Sequence, residues 1–285
     1  MRKILKYTFF LIVIYSLFTM NVFSIFKRSS DNKILQLKGS DTILNLSQKV
    51  AEEYMKEHPH SRISVTGGGT GTGIAAKINK TIDIALASRE MKKSEYEKAH
   101  NNGVDVKEVV IAYDAITIVI NKKNRVENLS LEQLKNIYLG KITNWKELGG
   151  IDKKIIVISR DSSSGTHLYF KEHVLREGKS KGKEEFGKEV LFLPSNESIK
   201  QEVTNSEGAI AYLGLGYVDK NVKPIKIEDV PATVATVKSK TYPIARAVYW
   251  YVNENIDGIG KKLIDYMLSD KGQKIVVKEG FVPIK

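Results

Sequence analysis

The chain has 285 residues, enough to bury one large domain or two lobes, and its 27% charged and 42% apolar residues exclude a disordered polymer. It has no cysteine, which excludes a disulfide framework, a thiolate metal site, a thiol nucleophile and a lipid-attachment cysteine. The formal charge of +12 comes from basic residues spread along the chain and mixed with glutamates, as over 179–188, so it reads as a lysine-rich solvated surface and no nucleic-acid partner is expected.

Arg2, Lys3 and Lys6 form a positive start, and 7–26 is then almost wholly apolar, with no charge until Lys27. This is the pattern of an export segment. The apolar run is about as long as a membrane span needs. Residues 1–26 therefore read either as a signal peptide or as an N-terminal membrane anchor, and 27–33 as a polar linker. The chain is expected outside the inner membrane, in the periplasm, either free or tethered.

From there strand-like and helix-like runs alternate. A short strand is expected over 34–38. A helix follows over 43–57, with apolar Leu46, Val50, Tyr54 and Met55. A β-branched strand over 62–66 leads into a glycine-rich loop over 67–73, a helix over 74–79 and a buried strand over 82–87. A long β-rich run covers 109–120. The pattern then predicts a helix over 131–138, a strand over 154–158 and a helix over 166–176. Strands over 208–212 and 247–252 precede helices over 258–268 and 270–278. Such alternation implies a mostly parallel, doubly wound α/β arrangement.

Three segments carry the chemistry, each between a strand and a helix: Gly39-Ser40-Asp41-Thr42, the glycine run with Thr70 at its centre, and Arg160-Asp161-Ser162-Ser163-Ser164-Gly165-Thr166. In an α/β sheet such loops lie at the carboxyl ends of strands, where ligands bind. The following helix offers free N–H groups and a positive dipole end to an anion. Hydroxyls add donors, and Arg160 adds a fork-shaped cation that matches an oxyanion edge. Singly, each loop reads as an ordinary helix cap, a flexible turn or a surface arginine. Together they suit a small tetrahedral oxyanion.

Enzyme patterns fit poorly. Gly71-Thr72-Gly73-Ile74-Ala75-Ala76 matches the loose GxGxxA form, but Glu90 is weakly placed as a ribose-binding acid. There is no GxxxxGK[ST] or HExxH, and Ser162 to Ser164 do not fit GxSxG, because position 160 is arginine. His167 reads as a packing or rim residue rather than a base. No enzymatic activity, metal or cofactor is expected.

The chain resembles the phosphate-binding proteins of high-affinity phosphate ABC transporters, which are type II periplasmic binding proteins. The resemblance runs from about Ile34 to Lys285. It rests on residues 140–150 (GKITNWKELGG), on the spacing Arg160…Ser164-Gly165-Thr166, and on Gly39-Ser40-Asp41-Thr42. The stretches Gly208-Ala209-Ile210-Ala211-Tyr212, Ser269-Asp270-Lys271-Gly272-Gln273 and Gly280-Phe281-Val282-Pro283 support it.

The resemblance implies two doubly wound α/β lobes joined by two crossing strands, with the ligand in the cleft between them. Lobe 1 is expected over 34–115 plus 243–285 and lobe 2 over 116–242, with crossings over 114–117 and 242–247. It implies inorganic phosphate as ligand, a membrane permease as partner and a monomeric state. Carried over by position, the phosphate contacts are Ser40, Asp41, Thr42, Thr70, Ser88, Arg160, Ser164, Gly165 and Thr166. Some members carry an aspartate after the strand 82–87 to accept the phosphate proton. Ser88 stands there instead, followed by Arg89, so Asp41 or Asp161 is expected to take that role. A binding protein for sulfate, molybdate or tungstate, or an exported phosphoryl enzyme, remains as an alternative.

Overall fold

The computed structural model describes residues 34–285; the leader and linker expected over 1–33 lie outside the described residues. The first half begins with β1 (Leu35–Gly39), a 3-10 turn (Asp41–Ile43) and α1 (Leu44–Glu57). Leu46, Val50 and Tyr54 recur every four residues and bury one face of α1. Then come β2 (Ile63–Thr66), α2 (Thr70–Ile78) and β3 (Ile84–Ala87). All four residues of β3 are buried, because helices cover both faces of its sheet.

The glycine run is not the loop that its composition predicts. Gly68 and Gly69 take φ of +113° and +91°, and the chain enters α2 at Thr70, four residues earlier than expected. Gly73 therefore serves packing. A Cβ there would lie 2.5 Å from the Lys38 carbonyl oxygen and 2.6 Å from the Gly39 Cα, so its absence lets α2 sit directly on β1.

After α3 (Lys93–Asn101), the 15-residue β4 (Val106–Ile120) runs through the middle of the molecule. In the second half, β5 (Asn128–Leu129), α4 (Leu131–Tyr138), β6 (Ile156–Arg160) and α5 (Gly165–Phe170) follow. The helix expected over 166–176 is interrupted: at Lys171–Leu175 the backbone widens into a π turn, closed by Arg176 N donating to the Lys171 carbonyl. Next come β7 (Leu191–Leu193), α6 (Asn196–Asn205), β8 (Ala209–Gly214), β9 (Lys223–Pro224), β10 (Lys226–Ile227) and α7 (Val234–Lys238). The chain returns through β11 (Ala245–Asn253) and ends with α8 (Gly258–Leu268) and α9 (Asp270–Lys278).

The main strand order is β2-β1-β3-β11-β4-β8-β6-β7, with β9 on β4. β1 is parallel to β2 and β3, and β6 is parallel to β7 and β8. The long strands β4 and β11 are antiparallel to their neighbours, so the sheet is mixed. β4 pairs with β11 up to Ala115 and with β8 from Ile116. Buried apolar side chains separate at the same place. One cluster draws on Ala115 to Ile244 with Val282; another draws on Leu35 to Ala112 and Val248 to Phe281.

Candidate anion-binding site

Arg160 ends β6 and is 1% exposed. Its backbone N–H donates to the Tyr212 hydroxyl at 3.3 Å, and its Nη2 donates to the Pro194 carbonyl at 2.7 Å. Its carbonyl accepts from His167 Nδ1 at 2.8 Å, which assigns the proton to that ring nitrogen. Burial pushes the His167 imidazole below its ordinary value. The backbone and one prong of the fork are thus held, while Nε and Nη1 are buried without a hydrogen-bond partner. Nη1 lies 3.5 Å from Asp41 Oδ2, an ion-pair distance. Ser164 caps α5, its Oγ accepting from His167 N at 3.3 Å, and Gly165 and Thr166 form the first turn.

The opposing wall comes from the first half. Ser40 is buried, and its amide donates to the Leu86 carbonyl at 2.8 Å, which pins the loop to the end of β3. Thr70 begins α2; its Oγ1 accepts from Ser88 N at 3.1 Å and lies 3.3 Å from Ser88 Oγ. The two walls meet. Thr42 Oγ1 is 2.8 Å from Thr166 Oγ1, and Gly71 N donates to the Ser163 carbonyl at 2.9 Å. A Cβ on Gly165 would collide with Thr70 Oγ1 and lie 2.7 Å from Ser88 Oγ. All nine residues singled out from the sequence therefore gather around the junction of the three loops.

Two expected proton acceptors differ in surroundings. Asp41 Oδ2 accepts from Asn196 N at 3.0 Å and Asn196 Nδ2 at 3.1 Å, so it ties the first loop to the start of α6 in the other half. Asp161 Oδ1 accepts from Ser163 N and Ser163 Oγ, so that carboxylate shapes its own turn. Arg89 turns to a carboxylate, with Nη1 and Nη2 each donating to Glu95 at 2.8 Å. Residues 140–150 lie in no site contact. They bury Trp145, whose Nε1 donates to the Gly208 carbonyl at 2.8 Å, and so they build the second core.

Sequence reasoning missed Asn196, Asp114 and Arg246. Asp114 is fully buried and Arg246 is 6% exposed. They are register partners on β4 and β11. Arg246 Nη2 donates to Asp114 Oδ2 at 3.1 Å and to Thr166 Oγ1 at 2.7 Å. Burial pushes the Asp114 carboxyl up, against the pull of the adjacent guanidinium. A signal existed: each is a lone charge inside an apolar, β-rich run, where an unpaired charge is costly. Among the described residues, no group of three or more His, Asp or Glu is placed to hold a metal.

A family model for the PBP superfamily domain matches residues 27–271. The phosphate-binding protein PstS of Borreliella burgdorferi is 31% identical over 265 residues, covering 91% of this chain and 93% of that protein. PstS of Bacillus subtilis is 31% identical over 255 residues, covering 88% and 80%. A Clostridium perfringens crystal structure with bound phosphate, assigned as a phosphate ABC transporter substrate-binding protein, superimposes with a TM-score of 0.82 at 36% identity, covering 89% of this chain and all of that one. The chain therefore belongs to the PBP superfamily and, within it, to the PstS phosphate-binding proteins of phosphate ABC transporters.

Proposed function

We propose that this chain binds one inorganic phosphate between its two halves and delivers it, outside the inner membrane, to the membrane permease of an ABC transporter. The observation that carries the reading is Arg160. Its guanidinium is buried, its backbone is held by Tyr212 and His167 and one prong by Pro194, and two of its nitrogens lack hydrogen-bond partners. Leaving a buried donor unmet costs about 1–3 kcal/mol, more for a charged group, and an oxyanion would remove that cost. Thr42, Thr70, Ser88, Ser164 and Thr166 bring hydroxyls to the same junction, Ser40 and Asp41 shape the first loop, and Gly165 leaves room for the opposing wall.

The lobes of this reading are 34–115 with 243–285, and 116–242. The partner change of β4 after Ala115 and the separate apolar clusters support that division. The charged then apolar start of the sequence supports export, with the segment either cleaved or kept as a tether. The chain is expected to act as a monomer and without a cofactor.

Binding to the native state raises thermal stability by mass action. Phosphate is expected to raise the melting temperature, and sulfate at equal concentration to raise it far less. Calorimetric titration should give one phosphate per chain. Equal shifts with both anions would make this a general oxyanion receptor, and no shift with either would remove the site.

A further inference from the structure

We infer that Arg246, held by Asp114, is a positioning residue that sets the direction of the hydroxyl protons facing the anion. The pair sits where β4 changes partner, deep between the halves. A buried ion pair adds little stability over a well-packed apolar pair, so its presence at this point calls for another role. It is also not arranged for its own satisfaction, since Arg246 Nε and Nη1 are buried without hydrogen-bond partners. What it does engage is specific. A single nitrogen, Nη2, donates both to Asp114 Oδ2 at 3.1 Å and to Thr166 Oγ1 at 2.7 Å, while Asp114 Oδ1 accepts from Leu215 N at 3.2 Å.

The chemistry then has one direction. A guanidinium only donates, so Thr166 Oγ1 is an acceptor at that contact. The one hydroxyl proton of Thr166 must leave on another side. Thr42 Oγ1, from the opposite half, is 2.8 Å away. If Thr166 donates to Thr42, the Thr42 proton is pushed onward in turn. The chain Arg246 to Thr166 to Thr42 thus ends in a donor, and a donor is what an oxyanion needs. Were Arg246 absent, Thr166 and Thr42 could share one proton between themselves and present a lone pair to the anion.

This inference rests on the phosphate reading of the same site, so the test separates the two. Arg246→Met combined with Asp114→Asn removes the guanidinium without stranding a charge, and Asn keeps an acceptor for Leu215 N. Thr166→Val removes the hydroxyl at nearly constant shape. Phosphate affinity is measured by calorimetry for the parent, the Arg246→Met/Asp114→Asn variant, Thr166→Val and their combination, with melting of each empty protein as the folding control. Each change alone is expected to weaken phosphate by roughly tenfold, and the combination by little more than Thr166→Val alone. Additive losses, near a hundredfold together, would overturn the positioning role while leaving phosphate binding intact. A parent that does not bind phosphate would overturn both readings. If the Arg246→Met/Asp114→Asn variant does not fold, Thr42→Val with Thr166→Val supplies a cycle that leaves the Arg246–Asp114 pair unchanged. There too the losses must fail to add, and additivity would overturn the proposal.

Discussion

Arg160, Asp41 and His167 illustrate how one residue's surroundings decide its job. Arg160 is held through its backbone and Nη2 by partners that are not ligand, so Arg160→Ala should cost affinity more than fold. Loss of a charge-assisted bond predicts a phosphate affinity lower by roughly tenfold or more in titration calorimetry. Ser164→Ala should cost less, and parent-like binding by Arg160→Ala would displace the clamp. Asp41→Asn is expected to weaken phosphate as well, because Asp41 Oδ2 gathers Asn196 and Arg160 from the other half of the chain. Titration with both anions separates two roles for that carboxylate. A narrowed phosphate-to-sulfate preference marks the acceptor of the phosphate proton, whereas equal losses mark a clasp between the two halves. His167 supplies a pH test. Its imidazole is pushed below its ordinary value by burial, so protons favour the unfolded chain. The stability that follows is whole above about pH 6.5 and is lost as the pH falls through the lowered value. Urea midpoints measured between about pH 5 and 7 should drop for the parent and drop less for His167→Gln; parallel curves would exclude His167 as the cause.

At the scale of elements, agreement followed amphipathicity and caps. The helices expected over 131–138, 258–268 and 270–278 match α4, α8 and α9, since each carries a clear apolar stripe, and Ser130 and Ser269 accept from backbone N–H groups at the starts of α4 and α9. α3 and α6 escaped detection. Only Ala99 of α3 is buried, and α6 buries just Asn196, Ile199 and Val203, too little apolar pattern to stand out in a polar stretch. α6 matters most, because Asp41 reaches its first residue. Glycines behave differently according to the element beside them. Gly39 has φ of +144°, and a Cβ there would lie 3.1 Å from the Leu86 carbonyl carbon and closer to its oxygen, within one half of the molecule. Gly39→Ala should therefore lower the melting temperature of the empty protein, by about 1–3 kcal/mol of backbone strain. An unchanged melting curve would show that β1 and β3 can part at no cost.

For the whole molecule, the informative glycine is Gly165, whose missing Cβ leaves room for Thr70 and Ser88 of the opposite half. If the two proposed lobes close on the ligand, Gly165→Ala obstructs closure but not the open protein. The expected result is phosphate affinity reduced by at least about tenfold, comparable to a lost contact of 1.5 kcal/mol, with the melting temperature of the empty protein retained. A lower melting temperature without phosphate would mean that the halves are packed together permanently. The contrast also marks how far the amino-acid order reaches. Local pattern was enough for the α/β class, for most strands and helices, and for three polar loops at strand ends, because period, caps and turn residues act over a few positions. Arg160, Thr42, Thr70 and Thr166 could be singled out for the same reason: each stands at a strand-to-helix junction. Tertiary structure alone decided that Thr70 belongs to a helix rather than to a loop, that Asp41 serves α6, and that Asp114 meets Arg246. Those partners lie far apart along the chain: Asp41 from Asn196 by 155 positions, and Asp114 from Arg246 by 132. Only the pairing of β4 with β11 and the approach of the two halves bring them within hydrogen-bond reach, and no short-range preference in the chain encodes those distances.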